Sequence, residues 1–206
     1  MRFFEFEKRM LKFPVFSSIE AKNIFFAEPN ILVQIAFWTK KGYIKRIRKG
    51  LYLLANAQND TNLLVLASKI YTPAYLSLEF ALNYYGIIPD IPGTYTSVTS
   101  RKTLTYKNEF GNFTYQKVKS NLFFGYVMQK DRNIAFCIAT PEKAIMDYLY
   151  FNKNKLVVEE KFWQELRIDE EFKFNLKKIG EYKKIFNDKK VTRLMDSLLL
   201  YQKNAR

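Results

Sequence analysis

The chain has 206 residues, 48% of them hydrophobic and 17% aromatic, which is enough to bury the core of one large domain or two small ones. Its 34 Lys and Arg against 20 Asp and Glu give a net charge of +14, which favours an anionic partner such as nucleic acid or an acidic membrane surface. With no histidine and the single cysteine Cys137, histidine-dependent catalytic triads, histidine-ligated metal sites and intrachain disulfides are excluded.

The hydropathy pattern indicates whether the chain could cross or enter a membrane. The longest apolar run, Ile31 to Trp38, is interrupted by Gln34 and is far shorter than the roughly 18–20 residues that cross a bilayer. The first residues mix acidic with hydrophobic side chains and lack the small-residue cleavage site of a signal peptide. We therefore expect a cytoplasmic protein with no membrane partner.

The first 55 residues predict three short helices. Bulky apolar residues recur at helical spacing between Phe3 and Phe13, and Ser17 and Glu20 have the spacing of a capping box that opens the second helix. The third helix is expected to begin near Pro29 and to end at Gly42. Its predicted buried face consists of Ile31, Ile35 and Trp38.

The hydrophobic period changes from 3.6 to 2 after Gly42, which predicts strands over 43–48 and 51–54 joined by a Lys49-Gly50 turn. Three helices followed by a hairpin are the elements of a winged helix-turn-helix, whose third helix enters the major groove while the hairpin, or wing, follows the backbone or minor groove. Six of the eleven cations in residues 1–55 lie between Lys40 and Lys49. The predicted DNA-binding residues are Asn30, Gln34, Lys40, Lys41, Lys45, Arg46, Arg48 and Lys49.

Three of these interpretations have plainer alternatives. A charged hairpin can be an edge strand that its lysines protect from aggregation. Asn30 can serve only as the cap of the third helix. Phe37, which falls on the face predicted to be exposed, can instead pack on the rest of the chain.

The polar segment 55–61 predicts a linker, and hence a DNA-binding domain over 1–55 and a second domain over 60–206. The second domain is predicted to be α+β, with helices around a small antiparallel sheet and a helical C-terminal part. Helices are expected over 63–71, 78–85 and 144–150, the second with Ser77 as N-cap and the third opened by Thr140 and Pro141. Strand-like runs cover 94–100, 103–118 and 123–139. From Glu159 onward the predicted apolar helical positions are Leu176, Ile179, Ile185, Leu194, Leu198 and Tyr201.

The sequence predicts neither an enzyme nor a cofactor or metal site. Glu20 and Lys22 match a nuclease-like Glu-x-Lys pattern, but they fall in a predicted helix. Cys137 lies in an apolar run and is predicted to be an inert buried thiol. The acids of the middle of the chain that could gather at a metal, although their spacing does not require it, are Asp90, Glu109, Glu142 and Asp147.

Four separated motifs occur in order: Trp38–Ile44 (WTKKGYI), Arg46–Tyr52 (RIRKGLY), Pro73–Leu82 (PAYLSLEFAL) with Tyr85-Gly86, and Thr140–Tyr148 (TPEKAIMDY). Together they resemble the AbiEi-type antitoxins, also described as transcriptional regulators of viral defence systems. The resemblance covers about residues 15–150.

The resemblance implies an N-terminal winged helix-turn-helix that binds inverted repeats in its own promoter and represses the operon. It also implies a C-terminal domain that antagonises a nucleotidyltransferase-like toxin without a stable complex. Carried over by position, the DNA contacts fall in the helix ending at Lys41 and in the wing, Lys45–Lys49.

Two other functions stay open from the sequence. The first is a defence-associated, metal-dependent nuclease with a basic targeting domain. The second is an adaptor whose basic tail, Lys177 to Lys190, binds RNA or an acidic partner. The plainer alternative for that tail is a solvated helical face, because Glu181 and Asp188 are interspersed among its cations.

Overall fold

The computed structural model describes residues 1–57, 63–131, 134–156 and 158–205. The N-terminal part, residues 1–57, contains α1 (Phe3–Met10), β1 (Val15–Ser17), α2 (Ser18–Ile24), α3 (Ile31–Lys40), β2 (Ile44–Arg48) and β3 (Leu51–Leu54). A 3₁₀ turn, Ala55–Ala57, follows β3, and the rest of the predicted linker lies outside the described residues. The three predicted helices and the hairpin are present, together with β1, which is too short to give a periodic signal.

Local sequence accounts for where these helices begin and end. The Ser17 hydroxyl accepts a hydrogen bond from the Glu20 N–H at 3.1 Å, and the Glu20 carboxylate accepts one from the Ser17 N–H at 2.6 Å, which confirms the capping box. Gly42 follows α3 with φ of 80°, a left-handed conformation that glycine adopts without strain. Helix α3 begins at Ile31 rather than at Pro29, because the Ile31 N–H first closes a turn onto the Glu28 carbonyl.

Strands β1, β2 and β3 form an antiparallel sheet in the order β1-β3-β2. Residues directly opposite each other in antiparallel strands project to the same face, so the register separates the two faces of this sheet. One face packs on α1, α2 and α3 in a core that contains Phe6 and Trp38. The other face carries Val15, Leu51 and Leu53 into a second core formed mainly by the rest of the chain.

The C-terminal part, residues 63–205 as far as they are described, contains two groups of elements. Its first group is α4 (Leu63–Ile70), β4 (Ala74–Leu76), α5 (Leu78–Tyr84), β5 (Tyr95–Thr99), β6 (Leu104–Asn108), β7 (Gly111–Lys117), a 3₁₀ turn (Ser120–Leu122), β8 (Tyr126–Asp131) and β9 (Ile134–Ala139). Its second group is helical and comprises α6 (Pro141–Asn152), α7 (Glu160–Glu165), α8 (Leu176–Phe186) and α9 (Lys189–Asn204).

Strands β4 to β9 form a six-stranded sheet in the order β6-β7-β5-β4-β9-β8. The pairs β5/β7 and β4/β9 are parallel and the other pairs are antiparallel. The mixed α+β class is therefore confirmed, whereas the prediction of a small antiparallel sheet is wrong. Parallel partners are joined by crossovers rather than by hairpin turns: in the chain, β6 lies between β5 and β7, and more than fifty residues separate β4 from β9, so no local sequence pattern predicts these pairings.

The C-terminal helices pack through the residues that their periodicity predicts, except at the ends of α8. Trp163 of α7 is fully buried and donates its indole N–H to the Ser197 hydroxyl of α9 at 3.0 Å. Of the predicted apolar positions, Leu176 and Ile185 are not buried: they are 65% and 41% exposed and are the first and the penultimate residue of α8. The other predicted apolar positions are buried: Ile179, Leu194, Leu198 and Tyr201.

The N-terminal and C-terminal parts share the second core, because Ile47 and Leu53 of the hairpin belong to the same buried cluster as Val65 and Tyr115. Helix α4 and the six-stranded sheet thus cover one face of the small sheet. Within the described part of the chain, none of the helices combines the length and the apolar content that a bilayer crossing requires.

Candidate nucleic-acid interface

Helix α3 has one buried and one exposed face. Ile31, Ile35 and Trp38 are 2%, 0% and 5% exposed, which confirms the predicted buried face. Lys40 and Lys41 are exposed at the C-terminal end of the helix, and no carboxylate of the described residues pairs with either of them. Two uncompensated ammonium groups therefore stand at the point where α3 leads into the hairpin.

The two predicted amide contacts lie one helical turn apart. Asn30 occupies the N-cap position of α3 and is exposed, but its side chain makes no capping hydrogen bond, so the cap-only alternative does not describe it. Gln34 is half-buried, and its Oε1 is buried without a donor among the described residues. A buried acceptor without a partner costs about 1–3 kcal/mol.

Two large apolar side chains share the exposed face of α3. Val33 is 68% exposed and Phe37 is 55% exposed, so the alternative in which Phe37 packs on the rest of the chain is wrong. The Lys41 ammonium instead lies 5.7 Å from the centroid of the Phe37 ring, within cation–π range. The outer face of α3 thus combines cations, amides and apolar groups.

The β2–β3 hairpin divides its cations between two faces. Lys45 is opposite Leu53 and Arg48 is opposite Leu51, so both lie on the face that carries these leucines toward the C-terminal part. Arg46 is opposite Tyr52, on the face toward α1, α2 and α3. The register shifts between Arg46 and Arg48, so the intervening residue forms a β-bulge.

The face of the hairpin that is turned toward the C-terminal part, called here its inner side, contacts β6 and the turn between β6 and β7. The Lys45 ammonium lies 3.1 Å from the Glu109 carboxylate and 6.0 Å from the centroid of the Phe110 ring. The Tyr106 hydroxyl donates a hydrogen bond of 2.8 Å to the Ile47 carbonyl. Strand β2 is an edge strand of the small sheet, as the plainer alternative has it, and these contacts connect it to the C-terminal part.

The remaining hairpin cations differ in exposure. Arg46 and Lys49 are exposed, whereas Arg48 is half-buried and donates from Nη1 to the Lys49 carbonyl at 3.0 Å. Among the predicted DNA-binding residues, the side chains that are both cationic and exposed, called here the exposed cations, are Lys40, Lys41, Arg46 and Lys49.

A buried polar cluster, which the sequence did not single out, lies in the C-terminal part. Lys143 and Asp147 of α6 form an ion pair in which both side chains are 0% exposed. The other Asp147 carboxylate oxygen accepts hydrogen bonds from the Tyr75 hydroxyl at 3.0 Å and the Ser77 hydroxyl at 2.9 Å. Ser77 occupies the N-cap position of α5, as predicted, but its hydroxyl donates to Asp147 and makes no capping hydrogen bond. The i, i+4 spacing of Lys143 and Asp147 was the available signal.

Aromatic rings and close backbone enclose the Lys143 ammonium. The centroids of Tyr75, Phe124 and Phe186 lie 5.5, 5.0 and 4.9 Å from its Nζ. A Cβ added at Gly125 would lie 3.0 Å from the Lys143 Cγ, so this glycine makes room for the lysine stem. Burial lowers the pKa of Lys143 and raises that of Asp147, and the attraction between the two groups opposes both shifts.

The four acids considered as metal ligands lie in four different settings. Asp90 pairs with Arg167 at 3.2 Å, Glu109 pairs with Lys45, and Asp147 belongs to the buried cluster. Glu142 accepts a hydrogen bond from the Asn175 N–H at 3.1 Å. Among the side chains that the structure describes, no three His, Cys, Asp or Glu form a group that could hold a metal ion.

Cys137 and the Glu20-x-Lys22 pattern also have defined settings. Cys137 lies on β9 and is half-buried rather than buried, and this burial raises the pKa of its thiol. Glu20 is engaged in the capping box and lies 3.3 Å from the Lys69 ammonium, while Lys22 is exposed on the same helix.

No protein-family model matches the chain, and no curated protein matches it either.

Proposed function

We propose that the chain is a DNA-binding repressor whose first 55 residues act as a winged helix-turn-helix. The chain order α1-β1-α2-α3-β2-β3 supports this assignment, since three helices pack on one face of a three-stranded antiparallel sheet that ends in a hairpin. In this function α3 enters the major groove and the β2–β3 hairpin is the wing.

The position of the exposed cations carries the proposal. Lys40 and Lys41 end α3, and Arg46 and Lys49 lie in the hairpin that begins three residues later. The Tyr43 N–H donates to the Trp38 carbonyl at 3.0 Å, which ties the end of the helix to the start of the hairpin. Four phosphate contacts would make the logarithm of the binding constant fall with the logarithm of salt concentration with a slope of about 3.6.

The proposal does not count the two cations on the inner side of the hairpin among the four phosphate contacts. Lys45 is held by Glu109 and Arg48 is half-buried, so neither is as accessible to a phosphate as the exposed cations are. Asn30 and Gln34 are the candidates for base contacts, because amides pair with adenine edges in the major groove.

We further propose that the C-terminal part is the antitoxin, acting against a nucleotidyltransferase-like toxin without a stable complex. The support is the resemblance of two motifs, Pro73–Leu82 and Thr140–Tyr148. Tyr75 and Ser77 of the first motif meet Lys143 and Asp147 of the second in the buried cluster. These motifs therefore belong to the interior of the C-terminal part, and its surface is left to contact other molecules.

The DNA-binding half is tested by footprinting the full chain on the DNA upstream of its own gene. We expect protection of an inverted repeat, and binding that weakens steeply between 50 and 200 mM salt, as for other proteins with several phosphate contacts. A Lys40→Gln/Lys41→Gln variant should weaken protection. Equal affinity for the upstream DNA and a scrambled duplex would contradict the repressor, and Mg²⁺-dependent cleavage of the probe by the chain alone would favour the nuclease.

The antitoxin half is tested by co-expression with a nucleotidyltransferase gene adjacent to the chain's own gene. We expect the full chain to restore growth, and a variant with all four exposed cations changed to Gln to restore growth while failing to repress the promoter. Failure of the unmodified chain to restore growth would refute the antitoxin role and leave the repressor standing.

A further inference from the structure

A cleft of about 430 Å³ lies where the hairpin meets the C-terminal part. The hairpin contributes Arg48 and Lys49 to its walls, and the C-terminal part contributes Arg101, which follows β5. All three charged side chains that line the cleft are cationic. Its other walls are apolar or aromatic and consist of Ile70, Tyr71, Leu104 and Tyr106.

Arg101 is held in place without a counter-ion. Its Nη1 donates to the Thr72 carbonyl at 3.0 Å, and its guanidinium carbon lies 4.9 Å from the centroid of the Tyr71 ring. No carboxylate among the described residues pairs with it. Because the side chain is exposed yet fixed by a ring and a carbonyl, its charge is positioned before any ligand arrives.

Arg48 approaches the cleft from the hairpin side and is incompletely satisfied. Its Nη1 donates to the Lys49 carbonyl, while its Nε is buried and has no acceptor among the described residues. A half-buried guanidinium without a counter-ion is unfavourable, so an anion beside it would relieve part of that cost.

We propose that this cleft binds a backbone phosphate of the duplex, so that the C-terminal part takes part in DNA binding; this inference rests on the proposed repressor function. Phosphate suits the cleft because one guanidinium group can donate two parallel hydrogen bonds to it. Lys49 adds a third cation beside Arg48 and Arg101. Arg48 and Lys49 belong to the proposed wing, so the strand that follows the wing would pass from the hairpin to Arg101.

The test measures binding of the full chain and its Arg101→Gln variant to two labelled 30-base-pair duplexes, one from upstream of its own gene and one scrambled. Fluorescence anisotropy is recorded between 50 and 200 mM KCl. We expect Arg101→Gln to weaken binding about three- to tenfold on both duplexes and to reduce the salt slope by about one, as the loss of one phosphate contact requires. Arg101→Lys should keep a slope close to that of the unmodified chain.

Arg167→Gln is the matched control, because it removes the same charge from an exposed arginine that pairs with Asp90 and does not line the cleft. Thermal melting establishes that each variant is folded, and if Arg101→Gln melts early, Arg101→Met tests the same cleft, because it removes the charge and keeps an unbranched apolar side chain beside the Tyr71 ring.

Three outcomes would overturn the inference. If Arg101→Gln behaves like Arg167→Gln while the unmodified chain binds its upstream DNA, the cleft binds no phosphate and the repressor stands. If Arg101→Gln weakens binding to only one of the two duplexes, Arg101 reads sequence rather than backbone. If the unmodified chain binds neither duplex, the proposed function fails and the cleft assignment fails with it.

Discussion

The ammonium group of Lys45 lies 3.1 Å from the carboxylate of Glu109, and this ion pair joins the hairpin to the turn between β6 and β7. For the other cations among the predicted DNA-binding residues, the described part of the chain offers no such carboxylate. A phosphate that approaches Lys45 must therefore compete with Glu109. Lys45 thus helps to hold the hairpin against the C-terminal part, in addition to contributing a positive charge.

Replacing Glu109 by Gln should strengthen DNA binding, because it frees the Lys45 ammonium. We expect the affinity to rise about two- to fivefold at 100 mM salt and the salt slope to rise by up to about one. Folding should change little, since an exposed ion pair contributes about 0–1 kcal/mol. Fluorescence anisotropy with the duplex from upstream of the gene measures both quantities.

The control for Glu109→Gln is Asp90→Asn, which removes the same charge from an exposed acid paired with Arg167. An equal gain in both variants would mean that only the net charge matters. A loss of affinity in Glu109→Gln would mean that the ion pair holds the hairpin in its binding position.

Changing Arg46 and Lys49 together to Gln should weaken binding to every duplex and flatten the salt slope by about two, because each lost phosphate contact removes about 0.9. Both side chains are exposed, so the variant should melt as the unmodified chain does. Titration at four salt concentrations gives the slope. An unchanged slope would remove the hairpin from the contact surface.

Replacing Asp147 by Asn should strongly destabilise the fold, because Lys143 would be left in a closed aromatic site without its counter-ion. Removal of one partner of a buried ion pair costs about 3–5 kcal/mol. Urea denaturation followed by circular dichroism measures the change in the free energy of unfolding. The double variant Lys143→Met/Asp147→Leu should lose less than Asp147→Asn, and a loss below about 1 kcal/mol in the single variant would contradict the role of the pair.

Glu20 should make the stability of the fold depend on acid pH. Burial acts to raise its pKa, but the hydrogen bonds from Ser17 and the charge of Lys69 outweigh it and leave the pKa below its ordinary value of 4.5. A carboxylate with a lowered pKa in the folded state stabilises the fold above pH 4.5, and this contribution is lost as the pH falls through the folded-state value. In Glu20→Gln the contribution is absent at every pH.

Thermal melting between pH 7 and pH 3 tests this dependence. We expect the difference between the unmodified chain and Glu20→Gln to stay below about 1 kcal/mol, since the group is exposed to solvent, and to shrink toward low pH. Glu181→Gln, exposed on α8, is the matched control. A difference that grows as the pH falls would contradict the sign.

Local sequence signals were sufficient to predict much of the structure of the N-terminal part. The capping box at Ser17 and Glu20, the buried face of α3 and the positive φ of Gly42 each follow from a few neighbouring residues. In the C-terminal part, Thr140 caps α6 as its sequence predicts, with its hydroxyl accepting from the Lys143 N–H. These features depend on contacts within one helical turn, which a single sequence contains.

Features that depend on contacts between distant segments could not be predicted in the same way. The parallel pairing of β4 with β9 joins Leu76 to Ile138, and no local pattern records such a pairing. Likewise, the alternation of residues 43–48 predicts which side chains share a face of the hairpin, but it does not predict that Glu109 pairs with Lys45 on one of these faces. The buried partners of Asp147 come from β4, from the start of α5 and from α6, so the sequence left Asp147 as one of four acids that could gather at a metal and did not show that it forms a buried ion pair.

The two-sided packing of the small sheet has a practical consequence for dissecting this protein. Val15, Ile47, Leu51 and Leu53 are each at most 2% exposed, and their cover comes from the C-terminal part. A fragment that stops after the hairpin would turn these aliphatic groups toward water, and an uncovered patch of this kind promotes aggregation. Point variants in the intact chain are therefore the sound way to separate its activities, and poor solubility of a truncated form would say nothing about its affinity for DNA.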